Sequence, residues 1–331
     1  MSFSKIVGID VSKLTLDVEV LPDGRSYQAE NCSGGIKQLI RLISKECGIE
    51  SKGVLFAFEH TGFYSHQLAV QLESMGFAFK MLPGLEVKRS LGISRGKSDQ
   101  VDALKIAEYV DLRKHKIIPT RLPGREIALM KELLSLRDRV IRDRAGYLAT
   151  LGEAKRTILQ KDNQLYAKVI KDVIRNFDCQ VDRLDQELMT LVRNHPNLDR
   201  QFHLIISIKG VGPQTALNMI AVTEAFTKFP TWRKFACYAG TAPFPHQSGT
   251  SIHGRTKVSH LANKKMKSLL GNAAGSAIQH NPEMRLYYQK RIRAGHNKMS
   301  TQNIVRNKLL ARIFAVVSRG TPYVDTMKYA A

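Results

Sequence analysis

Ile6-Val7-Gly8-Ile9-Asp10-Val11-Ser12 decides how the rest of the chain is read. A continuous apolar run of this kind marks a central strand covered on both faces. Asp10 stands in mid-strand, where a solvated charge is hard to accommodate, so its carboxylate needs a partner or a metal. The pattern continues through Leu14, Leu16, Val18 and Val20, alternating with polar residues, up to the turn signal Pro22-Asp23-Gly24. Ser26-Tyr27-Gln28-Ala29-Glu30 reads as the second strand of a meander. An amphipathic helix follows through Ile36, Leu39, Ile40, Leu42 and Ile43, and Gly48 ends it. Val54-Leu55-Phe56-Ala57-Phe58 is the next buried strand, with Glu59 at its tail. A helix carrying Leu68, Val70, Leu72 and Met75 leads to a strand over Phe77 to Leu82, stopped by Pro83-Gly84. A strand hairpin, helix, strand, helix and strand, then a basic loop and a helix, predict a mixed sheet flanked by helices.

The basic loop is Arg95-Gly96-Lys97-Ser98. Ser98 or Asp99 suits the N-cap of the helix after it, where a side chain accepts from orphan amides. Val101, Leu104 and Tyr109 follow at helical spacing, which puts Asp99 and Asp102 one turn apart on one face. Taken alone, acids in a first turn simply suit the helix dipole. Asp10 and Glu59 change that reading. Glu59 leaves its strand at the carboxyl end, where open α/β sheets place their sites. Four carboxylates at element ends of one domain, with no obvious arginine to neutralise them, point to hard divalent cations. Mg²⁺ takes oxygen ligands and bridges phosphate oxygens, and paired ions clamp the attacking and leaving oxygens of phosphoryl transfer.

The chain has 331 residues, enough for two domains with cores of their own. Its 51 lysines and arginines against 29 acids give a net charge of +22. Such an imbalance indicates a polyanionic partner, nucleic acid first. No apolar run reaches the length of a spanning helix, and the first residues open no signal peptide, so no membrane role is expected. Cys32, Cys47, Cys179 and Cys237 form no ligand cluster and no disulfide framework, which fits a cytoplasmic location.

No proline occurs between Pro123 and Pro196. Apolar steps of three and four predict two long helices with a narrow seam, linked near Lys161-Asp162-Asn163. Arg125, Arg137, Arg139, Arg142 and Arg144 put dense positive charge on the first, and the pair reads either as an intramolecular helical hairpin with a solvated face or as a coiled-coil arm that dimerises and contacts nucleic acid backbone. Gly210-Val211-Gly212, set between two helical patterns, resembles a helix-hairpin-helix, whose loop amides meet phosphate. Thr241 to Arg255 is a loop by its Pro and Gly content, rich in hydroxyls and followed by Lys257, Lys264, Lys265 and Lys267. On residues alone it is a basic loop that touches DNA. From Pro282 the chain is a basic helical tail with Tyr287, Tyr288, Arg306, Lys308 and Arg312, its face of Ile304, Leu309, Ile313, Val316 and Val317 packing on the body.

Gly8-Ile9-Asp10-Val11-Ser12-Lys13, Glu59-His60-Thr61-Gly62-Phe63-Tyr64 and Lys97-Ser98-Asp99-Gln100-Val101-Asp102-Ala103 resemble the three motifs of the DEDD transposases of the insertion-sequence "one-ten" family, which includes the Piv-type DNA invertases. The resemblance extends to Gly240-Thr241-Ala242-Pro243 ahead of Gln247-Ser248-Gly249. It departs where the family reads Lys-x-Gly-Asn and this chain has His260-Leu261-Ala262-Asn263, and where Met266-Lys267 replaces Leu-Arg. It implies an α/β RuvC-like (RNase H-like) domain over 1–122, a helical coiled-coil insertion over 123–196 and a mainly α transposase domain over 197–331. It implies that Asp10, Glu59, Asp99 and Asp102 bind Mg²⁺, and that Ser248 is a nucleophile forming a phosphoserine link to DNA. It further implies donor and target DNA as substrates, a bridge RNA as guide, and a dimer or tetramer with sites shared between subunits. A Piv-type invertase without RNA, a Holliday-junction nuclease and a non-catalytic nucleic-acid-binding protein are the alternatives.

Overall fold

The computed structural model describes residues 3–48, 53–90, 99–157, 164–248 and 252–325. The chain divides into two compact units, Met1–Leu122 and Pro123–Ala331. The first contains β1 (Lys5–Val11), β2 (Thr15–Leu21), β3 (Arg25–Glu30), α1 (Ser33–Cys47), β4 (Val54–Glu59), α2 (Phe63–Ser74), β5 (Ala78–Leu82), α3 (Gly84–Ser90) and α4 (Asp99–Asp111). The sheet order is β3-β2-β1-β4-β5. β1 is antiparallel to β2 and parallel to β4, which is parallel to β5, so β2 alone runs against the others. This order with one reversed strand is the RNase H-like sheet of RuvC-like domains.

Two elements differ from the sequence reading. The alternation from Leu16 to Val20 is a separate strand, because the chain turns at Ser12, whose amide donates to Thr15 O at 3.0 Å. Ser12-Lys13-Leu14 contains neither Gly nor Pro, and the alternation passes through it unmarked. Pro83-Gly84 opens the short helix α3 rather than a loop, Pro83 O accepting from the Glu86 amide. The basic stretch Arg95–Ser98 lies outside the described residues.

The sheet sorts its residues by parity. Val7, Ile9 and Val11 of β1, Leu16, Val18 and Val20 of β2, and Phe56 and Phe58 of β4 join Ile36, Leu39, Ile40 and Leu68 in one core. Ile6, Leu55 and Ala57 face the other way, toward Ile106, Ala107 and Val110 of α4. The helix buries Ala103, Ile106, Ala107, Tyr109 and Val110, whereas Val101 is exposed. Its packing face is therefore displaced from the one read off Val101 and Leu104, and it is small, Ala103 and Ala107, only where it crosses Gly8. Gly8 is what lets it come so close: a Cβ there would lie 2.6 Å from the Ala107 amide nitrogen and closer still to the Ala103 carbonyl.

The second unit contains α5 (Arg125–Thr157), α6 (Gln164–Arg193), α7 (Pro196–Ile206), α8 (Pro213–Thr223), α9 (Trp232–Tyr238), β6 (Pro243–Ser248), β7 (Ile252–Val258), α10 (Lys264–His280), α11 (Pro282–Arg293) and α12 (Lys298–Arg319). α5 and α6 pack on each other, and the link expected near Lys161 to Asn163 lies outside the described residues. Ile127, Met130 and Leu134 of α5 and Leu188 and Val192 of α6 belong to the same core as α7 to α12. Farther along the pair, Leu151, Ile170 and Ile174 form a small core of their own.

The positive charge read onto α5 is partly neutralised within the pair. Arg137 donates twice to Asp185, at 2.6 and 2.8 Å, and Arg144 donates to Asp178 at 2.5 Å. The tail is corrected in the same way. Arg312 Nη2 donates to both carboxylate oxygens of Glu283, at 2.6 and 2.7 Å, and Lys308 lies 4.4 Å over the Tyr287 ring, so neither is an idle surface cation. In the α7–α8 turn, Gly210 has φ +97° and presses on α10, where a Cβ would lie 2.6 Å from the Ala277 amide nitrogen.

Candidate active site

Parity puts Asp10 on the α4 side of the sheet, in step with Ile6 and Gly8, and Glu59 there too, in step with Leu55 and Ala57. The parallel register pairs Ile9 with Phe58, so the next positions, Asp10 and Glu59, are neighbours at the carboxyl ends of β1 and β4. Ala103 and Ala107 cross Gly8. Asp99 and Asp102 extend that buried helical face by one turn, toward Asp10 two residues beyond Gly8.

The electrostatics follow from this arrangement. Burial lifts the Asp10 carboxyl, and the charges of Asp99, Asp102, Glu59 and Asp17 lift it further, from 3.8 to about 6. The three other predicted acids, Glu59, Asp99 and Asp102, thus all act on Asp10. Asp102 pairs with Lys105 at 3.0 Å. Glu59 is seated against Gly84, where a Cβ would stand 2.8 Å from its Oε2. Behind them, Tyr109 of α4 donates to Glu86 of α3 at 2.5 Å, and this bond ties the two helices together.

Asp17 was not singled out by the sequence. It is buried, directly opposite Asp10 across the β1–β2 ladder, and accepts from Gln28 Nε2 at 2.8 Å. Only recognition of the turn at Ser12 would have exposed that pairing. Among the described residues, no three His, Cys, Asp or Glu side chains already stand together as a set that holds a metal ion. The donor chemistry nevertheless fits a hard cation: carboxylate oxygens gathered where like charges oppose ionisation, a cost that bound positive charge removes.

The stretch read as a loop after Thr241 is a two-stranded hairpin, β6 paired antiparallel with β7 and bulged between Phe244 and His246. Pro243 and Pro245 suggested a loop, but an isolated ribbon has outward amides that bond nothing, so proline is tolerated there. Ser248 ends β6, in register with Ile252. Its side chain, like residues 249–251, lies outside the described residues. The foot of the hairpin is firmly held. Thr241 is buried, its hydroxyl donates to Asn307 Oδ1 at 2.8 Å, and its carbonyl accepts from Asn303 and Asn307 at 2.9 and 3.0 Å. Gly240, at φ +67°, packs against Ala262. Ala262 is not among the non-glycine residues with positive φ, so alanine serves where the family pattern has glycine.

Among the described residues no helix is long and apolar enough to cross a membrane. Residues 7–154 match a family model named for DEDD transposases of IS110, and residues 202–289 match that of the "Transposase IS116/IS110/IS902 family". The pilin gene-inverting protein of Moraxella lacunata is 24% identical over 96% of this chain and 97% of its own. A 43.6 kDa protein of insertion element IS110 from Streptomyces coelicolor is 31% identical over 44% of this chain and 34% of its own. Thermus thermophilus RuvC, solved with a Holliday junction substrate, is 14% identical with a TM-score of 0.29, over 36% of this chain and 99% of that one. Its two motif regions both match models of one family, and together these cover more than two thirds of it: the chain belongs to the IS110 family of transposases, enzymes that act on DNA.

Proposed function

We propose that the protein moves an insertion sequence by cutting and rejoining DNA through a phosphoserine at Ser248. Residues 1–122 form the catalytic unit, 123–196 a coiled-coil arm and 197–331 the transposase domain carrying the serine. Asp10, Glu59, Asp99 and Asp102 hold Mg²⁺, which when bound supplies positive charge to phosphate oxygens. The observation that carries the reading is that Asp99, Asp102 and Glu59, together with Asp17, all act on the raised Asp10 carboxyl. In the covalent step the Ser248 Oγ–P bond forms while a backbone P–O bond breaks. The leaving oxygen keeps the electron pair and takes a proton, and the serine proton passes to solvent. A hydroxyl of another strand then attacks the phosphoserine and returns the serine.

A bridge RNA guides the enzyme to donor and target DNA, and the working form is a dimer or tetramer in the cytoplasm. Leu148, Leu165 and Val169, exposed on α5 and α6, support contact between copies. A second reading, an invertase that needs no RNA, is supported by the end-to-end similarity to pilin gene-inverting proteins.

Asp10→Asn and Asp102→Asn should abolish strand cleavage while leaving DNA binding in place. Ser248→Ala should remove the covalent adduct on denaturing gels, and Ser251→Ala should keep it. Cleavage by either acid variant, or an adduct surviving in Ser248→Ala, refutes the respective assignment. Purified protein should carry one discrete RNA species. Full recombination by RNA-free protein decides for the invertase.

A further inference from the structure

Between Glu224 and Asp325 the chain carries one acid, Glu283, against seventeen lysines and arginines. Glu283 is occupied by Arg312 and by the Tyr323 hydroxyl. Glu224 holds Lys131 and Lys228, and Asp325 holds Lys209. Asp138 of α5 holds Lys265, so these acids are all occupied and leave none over for a further half-buried cation.

Arg306 is such a cation. It lies on α12 between Asn303 and Asn307, on the helical face that grips Thr241 at the foot of the hairpin. Among the described residues, its buried Nε meets no hydrogen-bond partner. Burial alone pushes its pKa down, with no neighbouring charge pulling it back, and an arginine stays charged regardless. Gly271, in the middle of α10, faces it: a Cβ there would stand 3.0 Å from the guanidinium. Glycine inside a helix is less favourable than alanine, and here its missing side chain leaves the guanidinium its place. One turn back on α10, Lys267 passes the backbone of Gly240, its Cδ 3.8 Å from where a Cβ would be. Two cations, a gripped strand foot and no available acid thus meet at the base of β6.

We propose that Arg306, with Lys267 beside it, binds one phosphodiester of the DNA strand that passes the foot of the β6–β7 hairpin. The guanidinium fork matches two phosphate oxygens, and its half-burial fixes the direction of the fork. Phosphate supplies the charge that this stretch of chain lacks. The choice of DNA rests on reading the hairpin as the place of strand transfer.

The test is the salt dependence of binding by the full chain to a short random-sequence DNA duplex, measured without strand transfer. Its outcome is therefore independent of whether Ser248 is the nucleophile. Arg306→Met keeps the packing and removes the charge. It should weaken binding roughly ten- to a hundredfold and reduce the slope of log K against log salt by about 0.9, one phosphate contact. Lys267→Ala, on a partly exposed side chain, should reduce the slope by the same amount, and it decides the matter if Arg306→Met does not fold. Arg306→Lys should keep the slope and lose affinity. An unchanged slope in folded Arg306→Met, or in Lys267→Ala, overturns the proposal. So does a slope change seen with single-stranded RNA and absent with duplex DNA.

Discussion

The two units distribute charge in opposite ways. In the first, acids crowd onto one face of a sheet at two strand ends and a helix start, with Lys105 on Asp102 as a cationic partner. In the second, cations are spread along several helices, and some of them, such as Arg137, Arg144 and Arg312, are absorbed by acids of the same unit. Placing a few oxygens at fixed separations demands rigid elements in tight contact. Meeting a polyanion demands only enough unspent positive charge along a path, because each phosphate contact contributes on its own. The first unit therefore concentrates its strain at one point, and the second disperses its function over many side chains.

The sharpest way to break this contrast is Gly8→Ala. The added methyl meets backbone atoms of α4, which cannot rotate away, so stability should fall by about 3 kcal/mol in urea unfolding. Wild-type stability in that variant would mean that α4 is not pinned to β1. Next comes Arg137→Ala, which leaves Asp185 with Gln214 alone and should cost about 2 kcal/mol.

Asp10→Asn runs the other way. The folded protein holds a proton on Asp10 up to about pH 6, whereas the unfolded chain releases it near 3.8. Ionising Asp10 therefore lowers stability progressively as pH rises from about 3.8 to 6, and the loss is complete above that window. In metal-free buffer at pH 7 the variant should be more stable than wild type by about 1 kcal/mol, after allowance for solvent screening of a half-exposed group. The two should converge toward pH 4, and parallel pH profiles would refute the crowding. The smallest effect is expected for Arg139→Ala, an exposed cation on the arm, at under about 0.5 kcal/mol. An equal loss in the Arg137 and Arg139 variants would erase the distinction between absorbed and unspent charge.

Much of the first unit was legible because its signals are local. Val7, Ile9 and Phe58 announce buried strands, and Gly48 ends α1 with φ +59° as a left-handed cap. Asp10 was conspicuous as a charge inside an apolar run. Asp17 was not, since its role arises from a cross-strand partner and a turn that no Gly or Pro marks. The hairpin bearing Ser248 was misread for the opposite reason: its prolines are turn formers by composition but tolerable in an unaccompanied ribbon. Arg137 and Arg306 show a further limit. One is absorbed by Asp185 and the other meets no acid among the described residues, yet in sequence both are simply arginines on helices.

The parity of β1 has a practical consequence. Odd positions build a core with α1 and α2, and even positions face α4 and the acids, so the strand acts as a partition between two independently editable chambers. Substitutions such as Val7→Ile or Ile9→Val can tune the melting behaviour of the unit from behind the partition while the chemistry in front keeps its spacing. An insertion of one residue between Ile6 and Ile9 would instead exchange the chambers, turning Asp10 toward the core of α1 and α2 and Ile9 toward α4 and the other acids.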